Sequence, residues 1–257
     1  MISLMLSDLT KRFGQVTAVD NANLSVQDGE LLVIVGSSGC GKTTLLRLIA
    51  GLERPDSGTV FIGGAPANEI PAGRRGVQMI FQNYALWPHM KVFNEKKFTN
   101  LTFPLKIRKW SQEKIRQYTL QIAKNLGIDE GFFSRRPAEL SAGQQQRVAM
   151  GRAMTTTPRI LLMDEPLSNL DAPSRIKMRG EILAFHREHR LTTLYVTHDL
   201  ADAMALGDRV AMMRDGRFEQ VDSMENLLQR PANTYVADFF RASGFGPGHG
   251  LGQRSDL

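Results

Sequence analysis

The chain has 257 residues, a formal net charge of +6 at pH 7 and a single cysteine, Cys40. This length suits one α/β domain with a subdomain, or two small domains. One cysteine excludes an internal disulfide, which fits a reducing compartment. The longest purely aliphatic run, 31–35, is far too short to cross a bilayer, and the N-terminus lacks the basic and apolar stretches of a signal peptide.

The basic residues are spread along the chain without a long lysine or arginine block. This distribution favours a mixed, solvated surface with an anion site over a nucleic-acid or membrane-binding patch.

The predicted elements alternate between strands and helices. Residues 3–28 are predicted to form short strands with turns at 13–14 and 28–29. Continuous apolar runs then predict buried strands at 31–35, 77–81, 160–163 and 194–197. Helical spacing predicts helices from Gly41 to about Gly51, over 112–126, and over 174–190 with Ile176 and Leu183 on the apolar side. This alternation predicts a mostly parallel sheet that binds ligands at the carboxyl ends of its strands.

A glycine-rich loop follows the strand at 31–35. The run Gly36-Ser37-Ser38-Gly39-Cys40-Gly41-Lys42-Thr43 fits the phosphate-loop pattern G-x-x-x-x-G-K-[ST], and Thr44 continues into the helix. Its glycines let the backbone wrap phosphate oxygens, and the helix points its N–H groups at the anion. Lys42 is expected to reach the β- and γ-phosphates and the Thr43 hydroxyl to bind Mg²⁺. Cys40 is expected to take no chemical part, although thiol reagents at this position would interfere with the loop.

Two adjacent carboxylates follow the strand at 160–163. Asp164 stands where an Mg²⁺-associated carboxylate stands in phosphoryl-transfer proteins, and Glu165 is suited to polarise a water. The alternative is a helix-capping pair before Pro166.

Other polar and aromatic side chains are also candidates for the site. His198 follows a strand and is expected to contact the γ-phosphate or to hold the attacking water, and Gln82 is expected to contact Mg²⁺ or water. Phe13 could stack on a purine, although a lone aromatic near a hairpin is more often core. His186 and His189 are interpreted as a solvated helix face, since no third metal ligand accompanies them.

A second polar turn precedes the Asp164 strand: Leu140-Ser141-Ala142-Gly143-Gln144-Gln145-Gln146-Arg147. The backbone N–H groups at the start of a helix and the Ser141 hydroxyl offer hydrogen bonds to an anion. The chain therefore has two ends suited to grip phosphate.

Taken together, these motifs resemble the ATP-binding subunits of ABC transporters over roughly residues 3–240. The resemblance rests on Gly36–Thr43, Gln82, Leu140–Gln144, Ile160–Glu165, Ser168–Asp171 and His198, in that order. It implies an α/β fold: a P-loop NTPase core with a mostly parallel sheet, an N-terminal antiparallel β subdomain and a helical signature subdomain at about 83–155. The ATPase domain would span 1–240, and the Gly-rich composition of 241–257 predicts a mobile tail.

The resemblance also implies roles for individual residues. Phe13 matches the adenine-stacking aromatic, Gln82 the sensor of Mg²⁺ and lytic water, Glu165 the general base and His198 the switch histidine. The signature turn with Ser141, Gly143 and Gln144 caps ATP held by a second ATPase subunit, and residues 168–171 cross the dimer interface.

The partners implied are that second ATPase subunit, identical or related, two membrane permease subunits contacted through a groove near Gln82, and indirectly a solute-binding protein. The location implied is the cytoplasmic side of the cell membrane, as a peripheral subunit, and no nucleic acid is expected.

Residues 81–90, 164–171 and 195–199 are similar to the importer group that includes maltose-type sugar transporters. Polyamine and iron importers share much of this pattern, and ABC ATPases acting on DNA or ribosomes are more remote alternatives. Three features depart from the group: Ala142 replaces a usual glycine, residues 94–99 form a short insertion, and the sequence ends soon after Phe240, where sugar-type members continue into a β-rich regulatory domain.

Overall fold

Two β-sheets form the framework of residues 1–242 and 244, which are the residues described by this computed structural model. The strands are β1 (Ile2–Phe13), β2 (Val16–Gln27), β3 (Leu31–Val35), β4 (Ser57–Ile62), β5 (Ala65–Pro66), β6 (Val77–Ile80), β7 (Ile160–Asp164), β8 (Thr192–Thr197), β9 (Arg209–Arg214) and β10 (Arg217–Asp222). The α-helices are α1 (Lys42–Ala50), α2 (Phe103–Ile107), α3 (Gln112–Asn125), α4 (Ala142–Met154), α5 (Ala172–His189), α6 (Leu200–Leu206), α7 (Met224–Gln229) and α8 (Thr234–Ala242).

The larger sheet has six strands in the order β10-β9-β3-β8-β7-β6. Every neighbouring pair in it is parallel except β10 with β9. The predicted mostly parallel sheet is therefore confirmed, and the predicted strand at 31–35 matches β3 at both ends.

The smaller sheet has four strands in the order β2-β1-β4-β5 and is antiparallel throughout, which confirms the predicted N-terminal β subdomain. The prediction of short strands over 3–28 is wrong, because β1 and β2 run for 12 residues each. Asp and Asn are common in turns. Asp8 and Asn21 adopt positive φ inside these strands, near irregularities of the register. Local bulges of this kind bend a ladder without ending it.

The core has two layers, one on each face of the larger sheet. Alternate side chains of β3 point to opposite faces, and all five are fully buried. Leu31, Val33 and Val35 join a cluster with residues of α4, α5, α6 and α8. Leu32 and Ile34 join a second cluster with α1 and the first strands of the smaller sheet. Helix α1 is thereby fixed between the two sheets, directly after the glycine-rich loop.

Helix α5 exists as predicted, and of its two predicted apolar positions Leu183 packs against the core and Ile176 does not. Ile176 is 49% exposed, whereas Met178, Ile182 and Phe185 are buried. The solvated-face interpretation also fails for His186, which is buried with Nδ1 3.2 Å from the Thr193 hydroxyl. Burial lowers the pKa of His186 and thus favours the neutral imidazole at this position.

Three helices, α2 to α4, lie between β6 and β7, within the residues predicted for the helical subdomain. Of the tail predicted at 241–257, only Arg241, Ala242 and Gly244 are described, and the rest lies outside the described residues. Across 1–242 and 244, no helix combines the length and the apolarity that a membrane span requires.

Candidate nucleotide-binding and catalytic site

The register of the larger sheet brings the predicted site segments to one edge. Val35 pairs with Thr197, Asp164 with Val196, and Ile80 with Met163. Since these strands are parallel, the segments that follow β3, β6, β7 and β8 all leave the sheet at the same end. Those segments carry the glycine-rich loop, Gln82, Glu165 and His198 respectively.

The glycine-rich loop passes too close to neighbouring backbone for side chains at two of its glycines. A Cβ on Gly36 would lie 2.2 Å from the carbonyl oxygen of Met213, and one on Gly41 would lie 2.1 Å from that of Ala18. Gly41 also has φ +106° and is the N-cap of α1 without a side-chain hydrogen bond to the cap. The first N–H groups of α1 therefore remain available to an anion.

Lys42 is buried against the same loop. Its Nζ donates to the carbonyl oxygens of Gly36 at 2.8 Å and Ser37 at 2.9 Å, and lies 3.8 Å from Cys40 Sγ. Burial raises the pKa of the Cys40 thiol, and the nearby ammonium group opposes that shift. The charge of Lys42 is thus placed at the centre of the loop, where a phosphate would be cradled.

Thr43 and Asp164 meet at the start of α1 and the end of β7. The Thr43 hydroxyl donates to Asp164 Oδ1 at 3.0 Å, and Asp164 is only 5% exposed. Burial raises the pKa of Asp164, the hydrogen bond from Thr43 lowers it, and the charge of Glu165 raises it. A hydroxyl beside a carboxylate is a hard oxygen donor set of the kind that Mg²⁺ binds together with phosphates.

Glu165 has an unusual backbone conformation. Its φ is +44°, its N–H donates to the Val196 carbonyl at 2.9 Å, and its own carbonyl accepts from the Ser168 hydroxyl at 2.9 Å. A left-handed non-glycine residue costs on the order of 1–2 kcal/mol, so these bonds hold a strained residue in place. The capping alternative is wrong, because the next helix, α5, is capped by Asp171.

The Glu165 side chain contacts the two other predicted catalytic groups outside the phosphate loop, Gln82 and His198. Its Oε2 lies 3.2 Å from His198 Nδ1 and 3.5 Å from Gln82 Nε2. Gln82 is also 3.4 Å from the Ser168 hydroxyl, and its carbonyl accepts from Asn169 Nδ2 at 3.0 Å. A carboxylate, an imidazole and an amide thus converge beside the Thr43–Asp164 pair, at positions far apart in the sequence.

Charged residues beneath His198 were not predicted. Arg175 Nη1 lies 2.8 Å from Asp199 Oδ2, and Arg179 Nε lies 2.5 Å from Asp202 Oδ1. The sequence carried a signal for them: two arginines lie one turn apart on α5, and two aspartates lie three residues apart at the start of α6. Their pairing depends on how α5 packs on α6, which sequence spacing does not reveal.

The Ser141 turn forms a separate site. Ser141 caps α4 by accepting from the Gln144 N–H at 3.4 Å, and its own N–H donates to Gln144 Oε1 at 2.9 Å. Ala142 is partly buried against the core, and a Cβ on Gly143 would be only in ordinary contact with Met178. Within residues 1–242 and 244, no hydrogen bond joins this turn to the glycine-rich loop.

Phe13 lies at the tip of the β1–β2 hairpin and is 49% exposed, so the core alternative is wrong. Lys11 Nζ lies 5.2 Å from its ring centroid. Because Ala18 of the same hairpin touches Gly41, the exposed ring is on the hairpin that borders the glycine-rich loop.

The chain is similar in sequence to known proteins. A family model described as "ABC transporter" matches residues 19–168. The trehalose/maltose import ATP-binding protein MalK of Thermococcus litoralis is 47% identical over 93% of this chain and 64% of that protein. The sn-glycerol-3-phosphate import ATP-binding protein UgpC of Yersinia enterocolitica is 48% identical over 93% of this chain and 65% of that protein. The chain thus spans slightly less than two thirds of the length of these relatives.

A solved structure gives the same result for the fold. It is a dimeric post-hydrolysis state of the ATP-binding cassette MJ0796 bound to ADP and Pi, and it superimposes with a TM-score of 0.74 at 31% identity. The match covers 86% of this chain and 98% of that one.

Proposed function

The chain belongs to the ABC transporter family, and from that premise we propose that it is the ATP-hydrolysing subunit of an importer that drives separate membrane permeases. The observation that carries this proposal is the convergence of Glu165, Gln82 and His198 at one edge of the sheet.

The substrate is ATP with Mg²⁺. The tight glycine-rich loop, the uncapped start of α1 and the Lys42 ammonium group suit the phosphates. Thr43 and Asp164, which contact each other, would supply oxygen ligands for Mg²⁺, and Gln82 would contribute its amide oxygen. The metal ion neutralises charge on the phosphates when it is bound. The exposed ring of Phe13 stacks on the adenine.

Hydrolysis is assigned to the groups around Glu165. The Glu165 carboxylate accepts a proton from the water that attacks the γ-phosphate, and Gln82 helps to orient that water. His198, whose Nδ1 contacts Glu165 Oε2, holds the carboxylate and the γ-phosphate in line. Lys42 stabilises the negative charge that spreads over the transferred phosphoryl oxygens.

The Ser141 turn serves a second copy or a related chain. Two such subunits pair so that Ser141, Gly143 and Gln144 of one cap the ATP held by the glycine-rich loop of the other. The separation of the two sites within one chain and the dimeric form of the MJ0796 cassette support this arrangement. Residues 168–171 cross the interface, and hydrolysis lets the subunits separate.

Two permease subunits receive this motion through the groove near Gln82, and a solute-binding protein acts upstream of them. The ATPase is then peripheral, on the cytoplasmic side of the membrane. Because relatives are named for trehalose/maltose and sn-glycerol-3-phosphate import, the solute proposed is a carbohydrate or a polyol phosphate. The same motor could serve a polyamine or iron importer.

The decisive experiment is affinity purification of the tagged chain from solubilised membranes, followed by identification of bound proteins and assay of MgATP hydrolysis. We expect a pair of permease subunits and hydrolysis that requires Glu165. Recovery of ribosomes or a DNA-bound complex without a permease would refute the importer assignment.

A further inference from the structure

Arg152, near the end of α4, contacts the loop that contains Gln82. Its Nη1 donates to the Ala85 carbonyl at 2.7 Å and its Nη2 to the Tyr84 carbonyl at 2.9 Å. The guanidinium carbon also lies 4.7 Å from the centroid of the Trp87 ring. We call residues 81–87 the Gln82 loop. One half-buried cation thus contacts three residues of this loop.

The loop needs such a contact because its backbone is strained. Tyr84 and Ala85 have φ values of +60° and +44°, so two successive non-glycine residues are left-handed. Within the loop, Tyr84 N–H donates to Phe81 at 2.8 Å and Ala85 N–H donates to the Asn83 side chain at 3.2 Å. Charged donors form stronger hydrogen bonds than these neutral pairs, so the contacts of Arg152 add to the stability of the turn.

The environment of Arg152 makes its two bonds costly to lose. Desolvation lowers the pKa of Arg152 to about 10, which leaves the guanidinium charged at neutral pH. No acidic residue pairs with Arg152 among the salt bridges of the described residues, so its contacts with the loop carbonyls and Trp87 replace water around the charge.

The other end of α4 is the Ser141 turn. At 1.5 Å per residue, Arg152 stands about 16 Å from Ser141 on one continuous helix. A shift or rotation of this helix therefore moves the guanidinium, and with it the carbonyls of Tyr84 and Ala85. Gln82 lies two residues before Tyr84, and its amide is 3.5 Å from Glu165.

We propose that Arg152 is a positioning residue that ties the Gln82 loop to α4 and so couples closure of the Ser141 turn to the placement of Gln82 beside Glu165. This inference rests on the proposed ATPase function. Through Arg152, helix α4 would be connected directly to the Gln82 loop and to Glu165 of the same chain.

The test compares Arg152→Lys with Arg147→Lys. Both arginines lie on α4 and make two-pronged contacts. Arg147 donates to Glu181 at 3.0 and 2.6 Å and to the Gly127 carbonyl at 3.4 Å, and not to the Gln82 loop. Lysine keeps the charge and loses the two-pronged geometry in each case. Both variants are expected to melt at lower temperature than the wild type, so stability alone does not separate them.

Steady-state MgATP hydrolysis separates them. Arg152→Lys is expected to lower kcat about ten- to a hundredfold, as misplacement of catalytic groups does, with KM for ATP changed less than about twofold. Combined with Gln82→Ala, it should cause little further loss, because both changes remove the same function. Arg147→Lys should keep kcat near the wild-type value, and its effect should multiply with that of Gln82→Ala.

Fluorescence gives a second readout that does not depend on turnover. The chain has two tryptophans, and Trp110→Phe leaves Trp87 as the only one. In that background, MgATP should change Trp87 emission in the Arg147→Lys variant and fail to do so in Arg152→Lys, with ATP still bound in both. The inference would be overturned if MgATP changed Trp87 emission equally in the two variants. It would also be overturned if the losses of kcat from Arg152→Lys and Gln82→Ala multiplied in the double variant. A wild-type protein that neither binds nor hydrolyses ATP would instead overturn the proposed function, and this inference with it.

Discussion

The hydroxyl of Thr43 donates to the buried carboxylate of Asp164 across 3.0 Å and so joins the first turn of α1 to the end of β7. Burial raises the pKa of Asp164 above its ordinary value of 3.8. The folded protein therefore binds the proton of Asp164 more tightly than the unfolded chain does. Protonation of Asp164 contributes its full stabilisation of the fold below the unfolded pKa, and this stabilisation is lost as the pH rises through the higher folded pKa.

At neutral pH, Asp164→Asn should therefore raise the melting temperature of the nucleotide-free protein. The same change removes a carboxylate ligand, so the additional stabilisation by MgATP should disappear. Thermal melting at pH 7.5 with and without MgATP measures both effects. Asp238→Asn, at an exposed position on α8, is the control and should keep the MgATP shift. A lower melting temperature for Asp164→Asn without nucleotide would show that the carboxylate is stabilising there.

Glu165→Gln should bind MgATP as tightly as the wild type and hydrolyse it about 10²- to 10⁴-fold more slowly, the usual loss for a general base. The amide keeps the shape of the side chain but cannot accept the proton. Single-turnover hydrolysis and a binding titration check the two halves of this prediction. Glu188→Gln, on the exposed side of α5, should hydrolyse normally. Turnover near the wild-type rate in Glu165→Gln would remove Glu165 from the base role.

Ser141→Arg should leave ATP binding to the single subunit intact and prevent ATP-dependent dimerisation. The large cation would occupy the turn that is proposed to cap the nucleotide of the second subunit. Ser111→Arg is a matched control, because Ser111 caps α3 through the same kind of bond, to the N–H of Lys114. Light scattering with MgATP in a hydrolysis-deficient background reports the dimer. If Ser141→Arg still dimerises, the cap does not act across the interface.

Ala142→Gly should keep ATPase activity or increase it. Ala142 is the first residue of α4, where its methyl group packs against the core, so glycine should reduce stability by no more than about 1 kcal/mol. Glycine would let the backbone at the turn approach phosphate more closely. Denaturant unfolding and steady-state hydrolysis measure the two effects. Abolished hydrolysis in a folded protein would mean that the methyl group itself is needed.

Alkylation of Cys40 should be slow in the native protein and should stop ATP hydrolysis once complete. Burial raises the pKa of this thiol, so little of the reactive thiolate is present at pH 7.5, and the rate should increase with pH. Mass spectrometry with iodoacetamide at pH 7.5 and 9, with and without urea, follows the reaction. Cys40→Ser should resist the loss of activity. If fully alkylated protein still hydrolyses ATP, a larger group on Cys40 does not disturb the glycine-rich loop.

Local sequence correctly predicted the elements that depend only on neighbouring residues. The β3 run is apolar throughout because both its faces are covered, and the glycine-rich loop begins where that run ends. Local sequence failed for the N-terminal hairpin, where it predicted a tendency of residues 3–28 to form only short strands. Pairing along the whole of β1 and β2 outweighs that tendency, since the neighbouring strands supply the hydrogen bonds.

Local sequence failed in a different way for α5. Ile176 was expected inside and is half exposed, whereas His186 was expected in solvent and is buried against Thr193. The helical period was right, but the period alone does not show which part of a helix the sheet covers. That depends on where β8 and α6 lie against it.

The sequence by itself therefore determined the chemical groups of the site: a phosphate loop with Lys42 and Thr43, and carboxylates at the end of a strand. These follow from residue types at fixed local spacing. The sequence also placed Gln82, Glu165 and His198 after strands of a parallel sheet. Only the tertiary structure decided that Glu165 contacts both His198 and Gln82 and that Arg152 holds the Gln82 loop. The reason is that strand order, register and helix packing are set by contacts between distant segments, which leave no regular spacing in the sequence.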